Sequence, residues 1–136
     1  MINFINIGNI NDDGVYAYIS NEKKLGHSRI YNFYKSMDYN KNTYEILSKK
    51  DNLCLNHNNC VYISDFEIYK EYRGMGYGKI LLNHVLKLSS TFMIEYVFLN
   101  CKLDNVAAQN LYRQFQFDKY GKNDVDDVLI YKIPKQ

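Results

Sequence analysis

The chain has 136 residues and a mass of 16.1 kDa, enough for one domain core and too little for two. Hydrophobic side chains make up 46% and charged ones 24%, with seven Gly and a single Pro, which excludes a disordered or low-complexity chain. A formal charge of +2 from 17 basic and 15 acidic residues gives no basis for a nucleic-acid or membrane-surface partner, so any anion site must be local.

The N-terminus, MINFINIGNI, has no basic flank ahead of an apolar run, and no later stretch approaches the ~20 apolar residues of a membrane span. A cytoplasmic protein with neither signal peptide nor transmembrane helix is expected. INFINI and VYAYIS are expected to form strands, as is TYEILS. SRIYNFYKSM fits two patterns: Ile30, Phe33, Tyr34 and Met37 have helical spacing, whereas the Tyr and Ile content favours a strand. The Asn-rich DNLCLNHNN reads as a loop. It contains Cys54-x-x-His57-x-x-Cys60, whose ligand types suit zinc, but no second Cys/His pair accompanies it and no metal is expected. The three cysteines, an odd number, argue against a disulfide framework, and Cys101 reads as a small buried hydrophobe.

From Cys60 to Ile68, CVYISDFEI alternates as a strand does. Plain alternation puts Tyr62, Ser64, Phe66 and Ile68 on one face and Ile63, Asp65 and Glu67 on the other. After YKEYRGMGYG, the segment KILLNHVLKLSS carries Leu81, Leu82, Val85, Leu86 and Leu88 as an apolar helical stripe, with His84 outside it. YVFLNCK is the next strand. Asp104 or Asn105 can cap a helix through Ala108, Leu111, Tyr112 and Phe115. Two more strands are expected near Phe117 to Tyr120 and Leu129 to Ile133. His27 falls in a segment with no clear assignment, and neither His27 nor His84 is a candidate base.

A turn such as Arg73-Gly74-Met75-Gly76-Tyr77-Gly78, between a strand and a helix, directs backbone N–H groups and the positive end of the helix dipole at a phosphate. It is not a Walker A loop, because Arg73 occupies the first glycine position and Ile80 replaces the magnesium-binding hydroxyl. Nor does G-x-G-x-G match the G-x-G-x-x-G dinucleotide fingerprint. Arg73-x-x-Gly76-x-Gly78 resembles the R/Q-x-x-G-x-G/A pyrophosphate loop of the GNAT superfamily of acetyl-CoA-dependent N-acetyltransferases. Asn105, Ala108, Leu111, Tyr112 and Phe117 resemble that family's N-x-x-A-x-x-L-Y-x-x-x-G-F segment, and together the two motifs cover about Val61 to Phe117. The chain departs from the pattern at Gln116, where the family has Gly, and in lacking a clear pair of amphipathic N-terminal helices.

The resemblance implies an α+β fold: a mixed, mostly antiparallel sheet with splayed central strands and flanking helices, the N-terminal helices reduced or atypical. It implies one domain over 1–136, with 1–59 on the acceptor side and 60–136 holding acetyl-CoA. It places the cofactor against backbone at Phe66 and Ile68, against Arg73, Gly74, Met75, Gly76, Tyr77, Gly78 and Lys79, and near Asn105, with Lys70 as a further source of charge. Tyr112 corresponds to the tyrosine that faces the CoA sulfur and protonates the departing thiolate, although a helix tyrosine packed in the core would look the same in sequence. Asp65 and Glu67 share a strand face, so either carboxylate, or water, can take the amine proton; surface charge is the plainer alternative. Asp65 resembles an acidic position in polyamine-acetylating relatives. The implied reaction is direct acetyl transfer in a ternary complex to a cationic primary amine such as a polyamine, an amino sugar, a protein lysine or an N-terminus, by a monomer or homodimer. The alternative is an inactive module of the same fold that binds CoA or a protein.

Overall fold

The computed structural model describes residues 1–10, 14–32 and 59–134. Among these residues, seven strands form one sheet in the order β1-β2-β3-β4-β5-β7-β6. β1 (Asn3–Asn9), β2 (Gly14–Asn21) and β3 (Lys23–Asn32) make an antiparallel meander that continues antiparallel into β4 (Cys60–Ile68). β4 pairs in parallel with β5 (Tyr96–Lys102), and antiparallel pairing resumes from β5 to β7 (Asp126–Lys132) and on to β6 (Asp118–Lys122). Helix α1 (Tyr77–Ser90) links β4 to β5, and helix α2 (Val106–Gln114) links β5 to β6.

Both helices among the described residues cover one face. Leu81, Leu82, Val85 and Leu86 of α1 pack on Val15, Ala17, Ile19, Ile30, Val61 and Ile63, while Tyr112 of α2 joins the same core near Leu99, Cys101 and Leu129. Burial of these side chains contributes on the order of 1.5–3 kcal/mol for each large aliphatic one. A smaller core of Cys60, Tyr62, Phe98, Val128 and Ile130 lies on the opposite face, as alternation along β5 requires. At the sheet edge, the His84 ring stacks on Phe4 at 4.0 Å and its Nε2 is 2.9 Å from Asn6 Oδ1, fastening β1 to α1. Burial, then nearby Lys87, pushes the His84 imidazole below its ordinary 6.5.

The strands expected at INFINI, VYAYIS, CVYISDFEI and YVFLNCK are present, and Asn105 is the residue that caps α2, its Oδ1 accepting from Ala108 N at 3.1 Å. The β1–β2 ladder runs as far as Asn9 opposite Gly14. Part of SRIYNFYKSM, Ser28 to Asn32, is strand. The sequence did not reveal that β3 begins back at Lys23, since its polar residues 23, 24, 27 and 29 either lie near the turn or face away from the core. TYEILS, Cys54 and His57 lie outside the described residues, while Cys60 is buried, which pushes its thiol up to about 12.

One expectation needs correction. Ile30 pairs with Ile63 but Arg29 pairs with Asp65, so Ser64 is an extra residue in a bulge. Beyond it the alternation shifts by one: Phe66 and Ile68 share the helix-covered face with Ile63, and Asp65 and Glu67 share the other face with Tyr62.

Candidate active site

The site begins where the sheet opens. β4 and β5 pair only from Cys60 with Tyr96 to Tyr62 with Phe98. The bulge at Ser64 comes next, and beyond it the strands part around a cleft of about 530 Å³ lined by residues 63–68 of β4, residues 99–102 of β5, Arg73, Gly78 and α2 from Asn105 to Tyr112. Along this opening the edge of β4 facing β5 has no ladder partner, which leaves its backbone N–H groups facing the cleft while Ile68 O accepts from Arg73.

At one end lies the glycine turn. A short 3-10 turn at Lys70–Tyr72 follows β4, and Arg73 Nε donates to Ile68 O at 2.8 Å, tying the loop back to the strand end. Gly74 (φ +80°) and Gly76 (φ +85°) are left-handed, and a Cβ on either would meet no atom within 4 Å. Glycine is therefore set here by backbone conformation, and the space above it is open for a ligand. Gly76 caps α1 without a side-chain hydrogen bond, so the first-turn amides from Tyr77 and Gly78 onward have no cap, with Lys79 exposed beside them and Met75 61% exposed. Gly78 packs on α2: its Cβ would lie 3.6 Å from Leu111 Cδ2.

At the other end, Tyr112 is 6% exposed, its ring edge-on to Phe66 at 6.1 Å and tilted against Phe117 at 5.4 Å. Burial, then the Cys101 thiol, raises the phenol above its ordinary 10, so it stays protonated at neutral pH. Cys101 is itself pushed up to about 11 by burial, then by Asp127 and Asp126, which keeps it a thiol and not a nucleophile. Helix α2 is pinned by Gln109, whose Nε2 donates to Lys102 O and to Asp127 Oδ2, each at 3.2 Å, while the Lys119 ammonium lies 3.2 Å from Asp127 Oδ1. No sequence motif signalled this clamp.

Asp65 and Glu67 come to the cleft from the face opposite the helices, and each has its own partner. Asp65 Oδ2 is 2.6 Å from His27 Nε2, and Glu67 Oε1 is 3.8 Å from Arg73 Nη2. His27 and Glu67 are directly opposed across the β3–β4 ladder, next to Tyr18. His27 is thus part of this site, and the sequence reading that set it aside missed it.

An uncapped helix N-terminus, open space over two left-handed glycines and a cleft with an unpaired strand edge suit a pyrophosphate and an extended amide-bearing arm. The sequence profile of the acetyltransferase (GNAT) family matches residues 3–117, and the chain belongs to that family. The class so defined is that of acetyl-CoA-dependent N-acetyltransferases. No curated protein matches the sequence closely. Among solved structures, Ard1 from Thermoplasma volcanium aligns with TM-score 0.66 at 13% identity, over 88% of this chain and 71% of that one. The PaiA N-acetyltransferase from Thermoplasma acidophilum, in complex with coenzyme A, aligns at 0.63 and 14% identity over 86% and 59% of the two chains. A protein from Pyrococcus horikoshii aligns at 0.67 and 22% identity over 93% and 69%. These likenesses are of fold. Among the described residues no helix is long and apolar enough to cross a membrane.

Proposed function

We propose that this chain transfers the acetyl group of acetyl-CoA to a cationic primary amine by direct attack within a ternary complex. The observation that carries the reading is the cleft itself, which has the glycine turn at one end and the protonated Tyr112 phenol and two half-exposed carboxylates further along. Amides from Gly76 to Lys79 hold the pyrophosphate, with Lys70 and Lys79 adding charge. Arg73 keeps the loop in shape through Ile68 O. Asn105 fixes the start of α2 and so the far wall of the cleft.

Backbone N–H groups between Phe66 and Ile68, on the unpaired stretch of β4, hold the pantetheine arm and the oxygen of the thioester as it becomes an oxyanion. The acceptor amine enters from the face formed by β2, β3 and the acidic pair. Asp65 and Glu67 draw in its ammonium form, and a carboxylate takes the proton that the nitrogen must lose. Tyr112 gives its proton to the departing thiolate. Residues 1–59 then serve the acceptor and 60–136 the cofactor.

Calorimetry with acetyl-CoA, followed by thiol release with spermidine, glucosamine, a lysine peptide and a peptide N-terminus, tests the reading. Binding together with thiol release for at least one amine is expected. Binding without release for any of them would leave a CoA-binding module in place of the enzyme, and no binding would remove the site.

A further inference from the structure

The two carboxylates that the strand presents together are not equivalent, because the fold gives only one of them an imidazole. Asp65 Oδ2 lies 2.6 Å from His27 Nε2, and on the other side of the ring Nδ1 lies 3.0 Å from the Tyr69 hydroxyl. An ionised carboxylate can only accept, so Nε2 carries the hydrogen and donates to Asp65, and in the neutral ring Nδ1 then accepts from Tyr69. The ring is well held: its side chain is 18% exposed against 49% for Asp65, and it packs near the rings of Tyr16, Tyr18 and Tyr69 at 6.4, 6.2 and 5.7 Å.

Among the described residues, the groups facing His27 are Asp65 and Glu67 from β4, Tyr69 just beyond that strand, and Tyr16 and Tyr18 from β2. The neighbouring cations of its own strand lie over aromatic rings, Lys24 over Tyr18 at 3.6 Å and Arg29 over Tyr16 and Tyr31 at 4.5 Å. Glu67 turns toward Arg73 of the glycine turn.

We propose that His27 is a positioning residue that, backed by Tyr69, holds the Asp65 carboxylate by one oxygen so that the other takes the proton of the acceptor amine. Asp65, not Glu67, is then the base. This rests on the acetyl-transfer reading above. Asp65 Oδ1 first takes the extra proton of the ammonium and passes it to solvent, which frees the nitrogen lone pair; as that nitrogen bonds to the thioester carbon, the carbonyl electron pair moves to oxygen and Asp65 Oδ1 takes the second N–H proton. On collapse the carbon–sulfur bond breaks and the thiolate takes the Tyr112 proton. Asp65, half exposed, returns its proton to solvent, from which Tyr112 is reprotonated. His27 touches no reacting atom. Its hydrogen bond fixes the carboxylate.

The test is steady-state kinetics with the best amine of the panel, alongside acetyl-CoA affinity and melting temperature. D65N is expected to lower kcat about 10²-fold or more, and H27A about tenfold, both with parental acetyl-CoA affinity. E67Q should cost less than D65N. H27Q is expected to recover most of the H27A loss, since its amide still donates to Asp65.

Parental kcat in H27A, a larger loss in E67Q than in D65N, or an H27Q kcat no higher than that of H27A would each overturn the proposal. If H27A does not fold, the kcat of H27Q against the parent and the comparison of D65N with E67Q still decide. A parent protein that binds no acetyl-CoA and releases no thiol sinks the acetyl-transfer reading itself, and that outcome is visible before any variant is made.

Discussion

On the helix side of β4, Phe66 and Ile68 meet Tyr112, Leu111 and Gly78, all supplied by the two segments that follow that strand. On the open side, Asp65 and Glu67 meet His27, which packs near Tyr16 and Tyr18, all from strands far earlier in the chain, with His27 and Asp65 separated by 38 positions. The cofactor wall is built from contiguous motifs and the acceptor wall from long-range antiparallel pairing. The first can be read from residue spacing, while the second exists only once register is set. The glycine turn and Tyr112 should accordingly govern cofactor handling and leaving-group chemistry, whereas the His27 face should govern the amine.

The largest expected effect tests the cofactor wall. Gly76→Asp puts a β-branch-free but charged side chain on a residue at φ +85° and aims a carboxylate at the uncapped first turn of α1. Acetyl-CoA affinity should fall by about 10²-fold or more, through repulsion where the dipole otherwise favours an anion and through loss of the left-handed turn. Gly78→Ala is the matched control: its Cβ meets Leu111 at an ordinary 3.6 Å, so affinity should change little. Equal losses in both variants, by calorimetry, would show that the turn tolerates no side chain for packing reasons and that no anion is bound there.

Tyr112→Phe keeps the packed ring and removes only the proton. Turnover should fall by about 10²-fold with acetyl-CoA affinity and melting temperature unchanged, water making good part of the loss. Burial raises this phenol above 10, so its protonated form persists beyond that pH. The parental rate should then show no alkaline fall below pH 10 from this group. A loss confined to KM would make Tyr112 a packing residue.

Between the two walls lies the bulge. Without Ser64, Ile63, Asp65, Phe66, Glu67 and Ile68 would alternate regularly and face as they do now, so the extra residue is not needed to direct those side chains. What it adds is the local bend that a bulge imposes, at the point where the β4–β5 ladder stops. Deleting Ser64 should leave the core intact and narrow the opening, weakening acetyl-CoA about tenfold without lowering the melting temperature. Unchanged affinity would mean that the splay is set elsewhere.

The same bulge marks how far the sequence could be read. Strand alternation correctly paired Phe66 with Ile68 and Asp65 with Glu67 but joined each pair to the wrong half of β4, because one inserted residue inverts everything beyond it. The glycine turn, the Asn105 cap and the stripe of Leu81, Leu82, Val85 and Leu86 were legible because each is decided within one or two turns of chain. His27 was not, since a polar strand residue acquires meaning only from what register sets opposite it. The Gln109 and Asp127 clamp was hidden for the same reason.

The smallest effect concerns the end of α2, where Gln116 stands in place of the glycine that the family resemblance leads one to expect. Phe117 N donates to Tyr112 O at 3.0 Å and Gln116 N to Arg113 O at 2.9 Å, the two reverse bonds of a Schellman motif, and the Phe117 ring packs on Tyr112 as that motif's apolar contact. The motif puts the residue between them in the left-handed region, and Gln116 has φ +67°. A side chain there costs roughly 1–2 kcal/mol, part of which glycine would return as unfolded-chain entropy. Gln116→Gly should therefore raise stability by about 0.5–1 kcal/mol, a gain of a few degrees in melting temperature, while turnover stays parental because both bonds and the Tyr112 ring remain. Gln116→Ala has the same φ to satisfy and should give no such gain. Equal melting temperatures for the Gly and Ala variants would mean that the strain is not at this residue and that Gln116 is accommodated without cost.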